Sequence, residues 1–148
     1  MDNHSELING LFETNDMVAY RCLIELISAS EKDSSIYQFF DTFVEMIGND
    51  NSYIRTRGLL LISASAKWDS DLKIDDIIDK YLRHIMDDKP ITARQCIKTL
   101  PNIAKFKPDL VDDILSALNK ANPQRYNDNM QSLVYKDIKA AQKAIIAL

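Results

Sequence analysis

At 148 residues the chain is long enough for one domain with a sizeable core, and 46% hydrophobic with 27% charged residues excludes a disordered polymer. Three glycines and four prolines are too few for the turns of a many-stranded sheet protein, so long helices with few connections are expected. The formal charge is −4, no apolar run nears the ~18 residues of a membrane span, and the acidic start from Met1 to Glu6 lacks the basic region of a secretory signal, so a cytoplasmic chain without a membrane partner is expected.

Leu7, Ile8, Leu11 and Phe12 share one side of a helix predicted over 4–13. Asn15 and Asp16 then form a polar turn whose side chains suit the free N–H groups of a second helix, over 16–30. A third, over 36–47, carries Ile36, Phe40, Phe43 and Ile47 on one face. The fourth, over 53–67, follows the turn residues Asn49, Asp50, Asn51 and Ser52. Its run Leu59, Leu60, Leu61, Ile62 points around the whole cylinder, so it is expected to be buried on most sides, with Gly58, Ser63, Ala64, Ser65 and Ala66 letting neighbours approach.

The fifth helix, over 72–87, repeats the one-sided pattern with Ile74, Ile78, Tyr81 and Ile85. A polar turn at Asp87 and Asp88 precedes the sixth, over 90–107, which opens on Pro90 and contains Pro101, expected to kink it by crowding the Ile97 carbonyl. A seventh, over 108–121, begins at Pro108 and shows Val111, Leu115 and Leu118. After Pro123 and the turn at Asn127 and Asp128, the eighth, over 128–147, sets Met130, Val134, Ile138, Ala141, Ile145 and Leu148 against Lys136, Lys139 and Lys143. That is the pattern of a capping helix with one wet side.

An aliphatic residue followed three positions on by a base recurs at Val18 and Arg21, Ile54 and Arg57, Ile91 and Arg94, and Leu133 and Lys136, the bases stepping by 36, 37 and 42 residues. A period of that length signals stacked repeats. The expected fold is all-α: an α-α superhelix of about four helix pairs, eight helices in a single domain over 1–148, the first helix of each pair outer and the second inner. Polar turns before each inner helix supply its N-cap.

The segment from Asp50 to Ile62, an acidic turn before Ile54-Arg55 and a small, apolar run, resembles the second helix of a HEAT repeat. It returns in weaker form over 88–94 and 16–21, with Thr92 standing where the repeat would place an arginine. The resemblance implies an armadillo-like solenoid whose inner helices line a concave face. More narrowly, the stretches 52–61, 67–69 and 89–96 are similar to a small, uncharacterised bacterial family often labelled "SufBD protein". That label implies iron–sulfur cluster assembly.

Charge divides between the two helix sets. The predicted inner helices count −1, +3, +4 and +1 and the outer ones −2, −2, −1 and −2, so a face lined by inner helices is basic in an acidic chain. Candidate contacts on that concave surface are Tyr53, Arg55, Arg57, Trp68, Arg94, Lys98, Lys105, Lys107, Lys136, Lys139 and Lys143. They suit a protein partner or, alternatively, a nucleic acid or other polyanion held by focused positive potential. The same arginines would equally pair with turn aspartates of neighbouring units, and the lysines be simply solvated.

No catalytic constellation emerges, and neither an enzyme nor a cofactor is expected. His4, His84, Cys22 and Cys96 lack ligand spacing, so no metal is expected, and the two cysteines read as small core residues of inner helices. Asp75, Asp76, Asp79, Asp112 and Asp113 fall in early turns of outer helices, where negative charge complements the dipole. Trp68 with Asp69 bears a likeness to the tryptophans and aspartate with which the AlkD type of alkylpurine DNA glycosylases holds damaged DNA. Against that stands a plain anchoring role for Trp68 between repeats.

Overall fold

The computed structural model describes residues 3–148, the Asn3 side chain left aside, so the expectation placed on Met1 and Asp2 lies outside them. Among the described residues there are eight α-helices and no strand, and the chain is all-α. None of these helices is long and apolar enough to cross a membrane. The chain divides into two compact units, the first ending at Ser70 and the second starting at Asp71.

In the first unit α1 (Asn3–Gly10) and α2 (Asp16–Lys32) meet at Gly10, where an added methyl group would run into the Cys22 sulfur. Asn15 caps α2, its Oδ1 accepting from the Met17 and Val18 N–H groups at 3.0 and 3.2 Å. A 3-10 turn, Ser35–Phe39, leads into α3 (Phe40–Ile47), and α4 (Ser52–Ala64) follows with Asn51 as its cap. Close packing of α3 on α4 depends on Gly58: a Cβ there would lie 2.8 Å from Met46 Cβ and 2.9 Å from the Phe43 carbonyl oxygen. Leu59, Leu61 and Ile62 are fully buried, with Ile54 beside them, so α4 is covered on most sides as its sequence requires. Leu11, Leu26, Ile36, Phe40, Phe43 and Met46 complete this core.

Near the start of the second unit stands Leu72, whose φ of 59° is the one left-handed value at a non-glycine among the described residues. From it start α5 (Lys73–Leu82) and the 3-10 turn Arg83–Met86. Helix α6 (Pro90–Phe106) opens on Pro90 and carries through Pro101. The turn Pro108–Leu110 precedes α7 (Val111–Lys120), and Pro123–Arg125 precedes α8 (Asp128–Ile146). Helix α6 packs chiefly on α8, with Ala93, Cys96, Ile97, Leu100 and Ile103 of one and Val134, Ile138, Ala141 and Ile145 of the other buried. The Tyr81 hydroxyl shares a 2.6 Å hydrogen bond with Thr99 Oγ1 and ties α5 to α6.

Three features differ from the sequence reading. The third, fifth and seventh of the predicted helices each contain a 3-10 segment, because the tighter turn closes helix ends without a side-chain cap. Polar capping holds at Asn15 and Asn51 but not before α6 or α8. Asp87 instead accepts from the Lys89 N–H at 2.9 Å, and the Asn127 backbone carbonyl alone receives the first turn of α8. Leu148 is 64% exposed, so the buried stripe of α8 ends at Ile145.

Candidate binding surface

Within the first unit, the four predicted contact residues have different fates. Tyr53, on the first turn of α4, is 62% exposed. Arg55 turns back on its own turn, its Nη1 donating to the carbonyl oxygens of Asn49 and Asp50, both at 3.0 Å. Arg57 is buried. Its Nη1 donates to the Leu11 carbonyl oxygen at 2.8 Å and its Nη2 approaches Asp16 Oδ1 at 3.4 Å, so it is withdrawn from any open surface. Trp68 is half-buried and its Nε1 donates to the Ser30 carbonyl oxygen at 2.7 Å, an anchor to the end of α2. Asp69 is buried and accepts from the Tyr37 hydroxyl at 2.5 Å. The polar ends of this pair are thus taken up in packing against α2 and the turn Ser35–Phe39, in line with the anchoring role for Trp68.

In the second unit Arg94 Nε lies 2.6 Å from Asp137 Oδ2, and this bond holds its guanidinium above its ordinary pKa. Lys107 is also buried, with Nζ 2.6 Å from Asp75 Oδ1, and drops out as a surface contact. Lys98, Lys105, Lys136, Lys139 and Lys143 are exposed, Lys105 lying 5.3 Å above the Phe106 ring. Arg21, Arg57 and Arg94 share one position of the sequence spacing, yet one is exposed, one closes the end of α1 and one bridges to α8. The repeated base does not mark a repeated contact.

Lys107 organises a small charged cluster. Burial pushes the Asp75 carboxyl up, but hydrogen bonds with Asp109 and Lys107 outweigh it and hold the group below the usual carboxylate range. Asp109, hydrogen-bonded to Asp75 and repelled by its charge, is held above that range. Asp75 therefore does more than complement the α5 dipole. It joins the start of α5 to the turn before α7. Elsewhere burial raises the thiols of Cys22 and Cys96, which makes both poor nucleophiles, and raises the Tyr126 phenol to about 12. Tyr126 donates to the Asp87 carbonyl oxygen at 2.5 Å, and neighbouring Arg125 bonds the Met86 carbonyl and Asp88 at 2.9 and 3.1 Å. No group of three or more His, Cys, Asp or Glu is arranged to hold a metal among the described residues.

An open groove of about 590 Å³ lies along α2, lined by Asp16, Met17, Tyr20, Arg21, Ile24 and Glu25. None of these stood among the predicted contacts. Ala19, Leu23 and Leu26 bury the inner side of α2, while Met17, Tyr20 and Ile24, at i, i+3 and i+7, are 74%, 63% and 45% exposed on the other. The signal was present in the sequence as a second apolar line on one helix, off the stripe that the core uses.

Comparison of this chain with protein-family models, with curated proteins and with solved structures finds no match.

Proposed function

We propose that the chain is a HEAT-like helical-repeat scaffold, without catalysis of its own, that holds a protein partner on its inner-helix surface. Helix pairs in sequence order and an apolar, glycine-containing α4 support the repeat reading, while the three periodic arginines, each in different surroundings, add nothing to it. The observation that carries the function is the uncovered face of α2, where a methionine, a tyrosine and an isoleucine stand in line along a groove. Contiguous apolar surface rimmed by polar residues marks a place where another molecule sits. Photocrosslinking amino acids placed at positions 20, 53, 91 and 135 in the native host should give at least one discrete protein adduct. Absence of adducts from all four positions overturns this reading.

A second reading is a nucleic acid or other polyanion held by Lys98, Lys105, Lys136, Lys139 and Lys143. It is favoured by five exposed bases on two helices that pack together within a chain of net charge −4. Neutralised phosphates release counterions, so such binding weakens steeply with salt. Fluorescence anisotropy of labelled duplex and single-stranded oligonucleotides at low ionic strength should then show retention that Lys136→Glu with Lys139→Glu and Lys143→Glu removes. No retention at low salt ends it.

A further inference from the structure

We infer that the exposed face of α2 docks one amphipathic helix of the partner protein, apolar on the side it presents and rich in lysine or arginine along its edges. This rests on the protein-partner reading above and names the partner's chemistry. Met17, Tyr20 and Ile24 form a seam about 10 Å long at the rise of an α-helix, which two turns of a second helix cover with its own i, i+3, i+4, i+7 positions. The backbone of α2 is already hydrogen-bonded within the helix and offers no edge to an extended strand. Met17 adapts to different apolar shapes, and Tyr20 supplies a large anchor with a polar tip.

Charge selects the edges. Asp16, which also faces Arg57 at 3.4 Å, and Glu25 rim the groove, and Glu31 stands two turns beyond Ile24 on the same helix, against the bases Arg21 and Lys32. This acidic rim steers a basic helix towards the seam and repels a polyanion. It also disfavours a second copy of the chain laid antiparallel on the same face, a register that sets Asp16 against Glu25.

The test titrates the full-length ¹⁵N-labelled chain with a synthetic amphipathic peptide of about four helical turns, leucine on one face and lysine on the other, and with its glutamate counterpart. Backbone resonances of Met17, Tyr20 and Ile24 should shift with the lysine peptide, which should bind at least tenfold more tightly than the glutamate one. Ile24→Asp should weaken binding tenfold or more with an unchanged circular dichroism spectrum, because that side chain is exposed; Tyr20→Ala gives an independent check. Shifts confined to other helices, equal affinity for both peptides, or no binding overturns the inference. So does sedimentation in which the free chain self-associates and Ile24→Asp dissociates it, which makes a second copy the occupant. If the peptide fails while position 91 or 135 crosslinks to a protein, the scaffold reading stands and only the α2 site falls. If no position crosslinks, both fall.

Discussion

Arg57 reaches from α4 to the carbonyl oxygen of Leu11, 2.8 Å away, and closes the end of α1 that the helix itself leaves open. Replacing Arg57 with Met strands that carbonyl and removes the approach to Asp16. A hydrogen bond from a charged donor contributes about 1.5–3 kcal/mol, so Arg57→Met should cost about that much in urea-induced unfolding. Arg57→Lys should recover part of it. Equal stability of Arg57→Met and the parent chain refutes the assignment. Charge reversal at Arg57 is for the same reason a poor probe of polyanion binding, and Lys139 and Lys143 are the informative positions.

Alanine in place of glycine ordinarily favours a helix by about 1 kcal/mol. At Gly58 the new methyl would meet Met46 and the Phe43 backbone at under 3 Å, and such overpacking costs about 1–3 kcal/mol or more. Gly58→Ala is therefore expected to lower the melting temperature. Gly48→Ala is the control, since its Cβ would meet nothing closer than the Glu45 carbonyl at 3.5 Å and its φ of −95° suits any residue. That variant should gain about 0.4–1 kcal/mol by restricting the unfolded chain. A stabilised Gly58→Ala would mean that α3 and α4 do not approach as closely as described.

The sequence makes the helices legible because their cores repeat at three- and four-residue spacings, and α4 declares its burial through four consecutive aliphatic residues. It is less informative about which polar side chains stay outside. Arg57 and Arg94 sit in the same local motif, but their partners are Leu11, 46 residues away, and Asp137, 43 residues away, and no local pattern encodes such distances. Lys107 reads as one more surface base at a helix end until the turn before α7 brings it to Asp75. The α2 groove is present in the sequence as Met17, Tyr20 and Ile24, but the dominant period of α2 is that of the stripe that packs.

Leu72 occupies the left-handed region with φ 59° and ψ 31°, a conformation that costs an L-residue with a Cβ about 1–2 kcal/mol. Its side chain is 55% exposed and returns little of that in burial. Asn, whose short side chain tolerates this conformation, should stabilise the chain by about 1 kcal/mol in the variant Leu72→Asn. Denaturant midpoints compare the two directly, and a loss of stability would show that Leu72 contributes more through packing than its conformation costs.

Acidity separates the roles of the two aspartates beside Lys107. Asp75, held below its ordinary value of 3.8, stabilises the folded chain above that value, and the contribution is lost as pH falls through the lowered folded value. Asp109, held above 3.8, has the opposite sign: its contribution is present below 3.8 and lost as pH rises through the raised value. Above the raised value, where Asp109 is charged beside charged Asp75, it works against folding. Asp109→Asn should raise the thermal midpoint at neutral pH, with the gain shrinking as the medium is acidified towards 3.8. A gain that stays constant across that range would refute the raised value at Asp109.

Trp68, the sole tryptophan, has its indole N–H fixed on the Ser30 carbonyl inside the first unit. Indole emission therefore tracks the melting of that half alone, whereas helical ellipticity sums over both. Coincident curves from the two probes would mean that the halves lose order as one cooperative body, and separated curves that each melts at its own temperature.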